Sequence, residues 1–312
     1  MLPPWMPHVV CSFEAPCRRP FDVRGLLEFF AARALPGVEV VDTERLHYRR
    51  TVDLARLSPG APEGDPRFGI LRVDLGGRRV RAEVHASADG GLEALLEEQV
   101  GRRLRRLFDL DANPDAIRSG LSDARELVSG GRSPAGVRIP GAWCRFETAV
   151  RAMLGQQISV AGARTLAGRL VAATGRELPA GLGEPGLVRP FPSPAQVASC
   201  DLRALGLPGS RARALGEMSS VVATGALRLD ADPLEVRRRL LGIKGIGPWT
   251  VEYIAMRALG DGDAFPASDL GLRKAIDRER PPSAAELEAM AEPWRPVRAY
   301  AAILLWRRGG GG

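Results

Sequence analysis

The sequence predicts a protein of two parts: an α+β amino-terminal domain over residues 1–110 and an all-α region over residues 111–312. Two observations carry that reading. Short alternating or β-branched runs are confined to the first hundred residues, and beyond Asp109 strand signals give way to helical periodicity. A third observation, a glycine hairpin between two proline-started helices at 233–259, directs the functional argument.

Taken in order, Phe21–Leu35 (FDVRGLLEFFAARAL) has helical periodicity, with Leu26, Leu27, Phe29 and Phe30 on one apolar stripe. Val38–Val41, Leu46–Val52, Gly69–Leu75 and Arg78–Val84 read as strands, with Gly76-Gly77 turning between the last two. Gly91–Leu107 reads as a second helix, which completes a small antiparallel sheet with helices. In the second part, Cys144–Leu154 is a helix broken at Gly155, and Ser159 caps another that ends at Gly175. A Gly/Pro-rich connection runs from Arg176 to about Pro194. Helices follow at Ser210–Ala223, Pro233–Leu241, Pro248–Leu259 and Pro296–Arg308, and the tail Gly309–Gly312 is expected to be disordered.

Composition excludes more than it assigns. Hydrophobic residues at 45% and charged residues at 26% are ordinary globular values. No apolar run approaches the roughly 18 residues of a membrane span, and Met1–Phe13 lacks the cationic-then-apolar pattern of an export signal. A cytoplasmic protein is expected. The net charge of +7 invites a polyanionic partner. Yet Lys244 and Lys274 are the only lysines, and residues 241–312 hold ten Lys/Arg against nine Asp/Glu. The excess reflects an arginine-, alanine- and glycine-rich composition, as a GC-rich genome gives, rather than a binding face. Cys11 and Cys17 form a lone C-x5-C pair with Cys144 and Cys200 far away, which suits neither zinc nor an iron–sulfur cluster.

The stretch Asp232–Ile276 carries the chemistry. Asp232-Pro233 starts one helix and Gly242 ends it, and Pro248 starts the next. The intervening Gly242-Ile243-Lys244-Gly245-Ile246-Gly247 forms a helix-hairpin-helix. Glycines 245 and 247 let the backbone approach a phosphate, and the next helix, through Thr250, presents free N–H groups and its positive dipole end to the same anion. The order G-x-x-G-x-G after a helix disfavours a dinucleotide-binding loop. Such a hairpin grips a nucleic-acid backbone without reading its sequence. Trp249 and Tyr253 then share a helix face at i, i+4, and Asp269 follows at a helix start. Only 5% of the chain is aromatic, yet three of five Trp and two of three Tyr lie beyond residue 248. Aromatic walls and one carboxylate beside a phosphate grip suit an enzyme that flips a base out of the stack. Locally, Asp269 could equally be no more than a helix cap.

These residues carry a resemblance. Gly242–Ile276 resembles the helix-hairpin-helix/Gly-Pro-Asp signature of base-excision glycosylases, and within it the bacterial DNA-3-methyladenine glycosylase II family. The likeness extends to Phe29-Phe30-Ala31-Ala32-Arg33, Arg106-Leu107-Phe108-Asp109-Leu110 and Arg151-Ala152-Met153-Leu154-Gly155-Gln156. It implies that the first domain is a TATA-binding-protein-like sheet domain and that Asp269 is the catalytic aspartate. It also implies that Tyr253, Trp306 and Phe29, with Arg33 at the edge, line a base pocket beside Trp249. Gln156-Gln157 would form the loop that fills the gap left by the flipped base. The family has an apolar leucine at position 157 and a tyrosine at position 270, where this chain has Gln157 and Leu270. Backbone carbonyls matching Leu241, Ile243 and Gly245 would hold a monovalent cation, with no other cofactor required.

The expected reaction is hydrolytic excision of alkylated purines from double-stranded DNA by a monomeric, nucleoid-associated enzyme. A carboxylate stabilises the oxocarbenium character that develops on the sugar. Electron-rich aromatic faces favour a cationic base by about 0.5–2 kcal/mol. Bifunctional members carry a lysine at the position of Trp249, so no lyase activity is expected. Asp261 and Asp263 are expected to be solvated loop residues, and Trp143 and Trp294 core or surface aromatics. Two rival readings are a helix-hairpin-helix binding module without catalysis and a glycosylase for other damaged bases. A third, fusion to a methyl-accepting domain, is disfavoured by the missing amino-terminal cysteine set.

Overall fold

The computed structural model describes residues 8–57, 67–86, 93–125, 130 and 133–309. An antiparallel sheet forms from β1 (His8–Pro16), β2 (Glu39–Asp42), β3 (His47–Asp53), β4 (Phe68–Asp74) and β5 (Arg79–Ala86), in the order β1-β5-β4-β3-β2. Alternation sets the faces: along β5, Val80, Ala82, Val84 and Ala86 point inward while Arg79, Arg81 and Glu83 face solvent. Helices α1 (Val23–Arg33) and α2 (Glu93–Phe108) complete this part, and their apolar stripe residues Leu26, Leu27, Leu104 and Leu107 share one core with the sheet.

The four expected strands and both helices are present within a residue or two, although positions 91–92 of the second helix lie outside the described residues. β1 is absent from the sequence reading. Cys11, Phe13 and Ala15 alternate inward with exposed Ser12 and Glu14, but the run is short, and a bulge between Val9 and Cys11 puts the residues before it out of phase.

The second part is helical: α3 (Pro114–Gly120), α4 (Arg145–Leu154), α5 (Val160–Thr174), α6 (Pro194–Ala198), α7 (Gly209–Ala223), α8 (Pro233–Leu241), α9 (Pro248–Ile254), α10 (Leu270–Ile276), α11 (Ala284–Ala291) and α12 (Arg298–Arg308). Ser159 caps α5 by accepting from Gly162 N–H, as its position predicts. Three short helices, α3, α6 and α11, go beyond the sequence reading. For α11 the signal was present: Ser283 and Glu286 form a reciprocal capping box. Gly309 caps α12, and the rest of the expected disordered tail lies outside the described residues. Among the described residues no helix is long and apolar enough to cross a membrane.

The Gly/Pro-rich connection after α5 is pinned to the sheet. Gly37 C=O accepts from Val188 and Arg189 N–H, and Glu184 pairs with Arg49 at 2.6 Å and with Arg72 at 2.7 Å. Leu182 and Leu187 pack on Phe68 and Ile70.

A buried charge cluster joins the sheet to α4. Arg50 donates to Glu147 at 2.6 Å and lies 3.7 Å from Glu39; Arg151 pairs with Glu147 at 3.0 Å and also with Glu39; and the Tyr48 hydroxyl donates to Glu39 at 2.6 Å. Burial alone would push the Glu39 carboxyl up, but Arg151 and Arg50 outweigh it and hold the group at about 2. Through this cluster α4, and the loop that follows it, are fixed to the amino-terminal part.

Candidate active site behind the helix-hairpin-helix

Helices α8 and α9 are joined by the expected hairpin. Asp232 caps α8 through Leu234 and Glu235 N–H, and Gly245 takes φ +101, a conformation few residues but glycine adopt. A Cβ there would also lie 3.0 Å from Ala214 Cβ of α7. In front of Gly247 the space is open, with nothing within 4 Å of a would-be Cβ. No side chain caps α9, and Val251 N–H is the first to reach back, to Gly247 C=O. The N–H groups of Trp249 and Thr250 therefore have no partner within the helix, and they sit at its positive dipole end. Ile246 is buried, as is the Thr250 side chain, so these two residues offer backbone rather than side chain to a ligand.

Gln156 ties the loop after α4 to this hairpin: its Nε2 donates to Thr250 Oγ1 at 2.8 Å and to Gly245 C=O at 3.2 Å. Gln157 sits exposed at the loop tip with φ +58, and its neighbour Ile158 is 39% exposed. The loop thus presents a polar residue and an apolar one beside the hairpin.

Asp269 caps α10, accepting from Leu272 N–H at 2.9 Å through Oδ1. Its carboxylate is also held between two indoles. Trp306 Nε1 donates to Oδ1 at 3.0 Å and Trp249 Nε1 to Oδ2 at 2.8 Å. The loop leading to it is braced from behind: Glu252 accepts Phe265 N–H at 3.1 Å and pairs with Arg237 of α8. Arg237 also reaches Asp261 at 2.7 Å. Asp261 and Asp263 are not the solvated residues expected. Asp261 braces α8, and Asp263 pairs with Arg298 at 2.9 Å and also with Arg295. Both correct the sequence reading, because their partners come from elements distant in the chain. Trp143 and Trp294 are buried core aromatics.

The aromatic residues expected around a base pocket come together. Trp249 stacks on Tyr253 with centroids 5.4 Å apart and rings 23° from parallel, and Tyr253 lies 5.9 Å from Trp306. Behind Tyr253 is a residue the sequence reading missed. Arg257 is buried and donates to the Tyr253 hydroxyl at 2.9 Å, to Pro140 C=O at 2.6 Å and to Gly141 C=O at 3.2 Å. It stands on the turn of π-helix, Ala255–Leu259, that continues α9. Its i+4 spacing from Tyr253 was the available signal. Phe29 of α1 meets both arginines, with Arg33 3.7 Å and Arg257 4.8 Å from its ring centroid. Phe29 is 4% exposed and Trp306 7%, so both lie behind Trp249 and Tyr253, which stay partly exposed. Burial alone would push the Tyr253 phenol up, yet Arg257 and Arg33 together pull it below its ordinary value. Burial, joined by Arg257, in turn draws the Arg33 guanidinium down, with Tyr253 opposing.

An antiparallel sheet with helices, followed by a helical part that holds a helix-hairpin-helix, is the layout that the resemblance implies. Residues 12–144 match the AlkA N-terminal domain family model. DNA-3-methyladenine glycosylase 2 of Escherichia coli is 31% identical over 293 residues, covering 92% of this chain and 94% of that protein. The chain belongs to this DNA-3-methyladenine glycosylase 2 family. It is also 40% identical over 301 residues to a probable bifunctional transcriptional activator/DNA repair enzyme AlkA of Mycobacterium tuberculosis, of whose length it spans 56%. Among solved structures, a 3-methyladenine DNA-glycosylase from Archaeoglobus fulgidus shares the fold, with a TM-score of 0.75 at 23% identity over 96% of this chain and 98% of the other.

Proposed function

We propose that the chain is a monofunctional DNA glycosylase of base excision repair. It flips alkylated purines, 3-methyladenine and 7-methylguanine among them, out of duplex DNA, hydrolyses their N-glycosidic bond and leaves an intact abasic site. The observation that carries this is the Asp269 carboxylate held by two indole N–H groups beside the Trp249–Tyr253 stack, immediately behind a glycine hairpin. The names of the family relatives support the alkylpurine substrate.

In this reading the hairpin backbone at Gly245, Ile246 and Gly247, with the free N–H groups of Trp249 and Thr250, binds a DNA phosphate. The flipped base stacks against Trp249 and Tyr253, backed by Trp306, Phe29 and Arg33. Asp269 stabilises positive charge developing on the sugar. A purine alkylated on the ring already carries positive charge and leaves readily, so no strong general acid is needed. Trp249 stands where a Schiff-base lysine would be required for lyase chemistry. Gln156 fixes the wedge loop, and the exposed Ile158 supplies the apolar tip that Gln157 does not. Leu270 is half-exposed beside Asp269 and leaves that side of the pocket aliphatic. The carbonyls of Leu241, Ile243 and Gly245 suit a monovalent cation. Ile243 C=O and Gly245 C=O each accept one N–H, from Ile246 and Gln156, and keep a second lone pair. A bound cation would add positive charge toward the phosphate. A monomer working in the cytoplasm on the nucleoid is consistent with this reading.

Incubated with methylated duplex DNA, the protein should release 3-methyladenine and 7-methylguanine, identified by chromatography. Asp269→Asn should slow release on the order of 10³-fold while keeping DNA binding, since Asn still caps a helix. Release of no base with DNA binding retained would favour the non-catalytic binding module. Ile158→Ala should slow release from duplex DNA several-fold and leave release from methylated single strands unchanged; equal slowing on both would remove the wedge role.

A further inference from the structure

We infer that Trp249 and Trp306 are positioning residues for Asp269, fixing its carboxylate so that one acceptor position, on Oδ2, faces the reacting sugar. The inference deepens the proposed function and rests on it.

A carboxylate offers roughly four lone-pair positions. Asp269 Oδ1 fills its two with Leu272 N–H at 2.9 Å and Trp306 Nε1 at 3.0 Å. Oδ2 receives only Trp249 Nε1, at 2.8 Å, and keeps one position open. An indole N–H donates and cannot accept, so the carboxylate is the acceptor in both bonds. The chain also makes room for them. A Cβ at Gly271 would lie 2.9 Å from Asp269 Oδ1 and 3.6 Å from Trp306 Cδ1, so the glycine two residues after the carboxylate lets the indole close on it. The two donors arrive from separate elements, the first turn of α9 behind the hairpin and the last turn of α12. The orientation of the carboxylate is thereby set by the element that grips DNA and by the carboxy-terminal helix together. A wall for stacking needs only an aromatic face, which Phe or Tyr would supply; the two N–H bonds are what tryptophan adds.

The test deletes the donors and keeps the rings. Trp249→Phe and Trp306→Phe are paired with proteins carrying β-(3-benzothienyl)alanine at each position, where sulfur replaces the N–H in a ring of nearly the same shape. Single-turnover release of 7-methylguanine is followed, and binding is measured on duplex DNA holding 7-methylguanine on a 2′-fluoro sugar, which keeps the base and resists hydrolysis. Each deletion should slow release by roughly 10-fold, the scale of one hydrogen bond to a charged group. Affinity for the uncleaved site should be unchanged, so that the loss falls on the rate of release and not on binding. Benzothienylalanine proteins with the wild-type rate would overturn the inference. So would a loss confined to affinity, which is the signature of a wall alone. Wild-type release by Asp269→Asn would instead remove the role of the carboxylate itself, so the two failures are told apart.

Discussion

Around Arg50, two arginines face two glutamates and a phenol; around Tyr253, two arginines face a phenol and no carboxylate. The junction cluster of Glu39, Tyr48, Arg50, Glu147 and Arg151 is charge-balanced, and its carboxylate oxygens are bonded from several sides. In the pocket cluster, neither Arg33 nor Arg257 forms an ion pair among the described residues. Their charge is spread over the Phe29 face, the Tyr253 oxygen and main-chain carbonyls. The clusters adjoin, since Arg151 also donates to Arg33 C=O at 3.4 Å. The difference separates a charge cluster that ties two elements together from one whose positive charge no carboxylate balances. A balanced buried network fixes two elements in one geometry, whereas an unbalanced one keeps a local field that an incoming group meets.

The comparison can be broken most severely at Glu147. Glu147→Gln strips the junction of one negative charge and leaves Arg50 and Arg151 competing for Glu39. Urea unfolding should register a loss of about 3–5 kcal/mol; a change under about 1 kcal/mol would mean that the cluster is not the joint between the two parts. A smaller effect follows from titration. Glu39 is held below its ordinary value, so its contribution is present above pH 4.5 and is lost as pH falls toward 2. Glu39→Gln should cost about 2–3 kcal/mol at neutral pH and nothing near pH 2, read from unfolding curves at both ends. The smallest stability effect belongs to the cluster around Tyr253. Arg33→Met removes a charge that no carboxylate balances, so stability should shift by no more than about 1 kcal/mol. The release of 7-methylguanine, which is cationic while attached to the sugar, should rise relative to that of hypoxanthine, which is neutral there. A large loss of stability with an unchanged ratio would place Arg33 with the architecture.

Legibility in the sequence followed range. The hairpin was readable because Asp232-Pro233, Gly245 and Pro248 encode their conformations within a few residues, through a cap, a positive φ and a ring-fixed φ. Asp269 was readable as a helix cap, which it is, and a catalytic role for it comes only from the resemblance. Arg257 was missed although it shares a helix face with Tyr253, because an arginine at helical spacing reads as surface until Pro140 and Gly141 are seen against it. Asp261 and Asp263 were misjudged for the same reason, and β1 went unread because its alternation spans only Cys11–Ala15 before a bulge breaks the phase.

By itself, then, the sequence determined the two-part α+β and α layout, the strands and long helices, and the hairpin before Asp269. Those features depend on periodicity and on backbone preferences that each residue carries with it. Only the tertiary structure decided that Phe29 and Arg33 from α1 meet Tyr253 and Arg257, that Trp249 and Trp306 close on one carboxylate, and that the connection after α5 is fastened to the sheet. Charges and hydrogen-bond donors act over a few ångströms of space. Their partners are set by which elements pack together, and local sequence leaves that open.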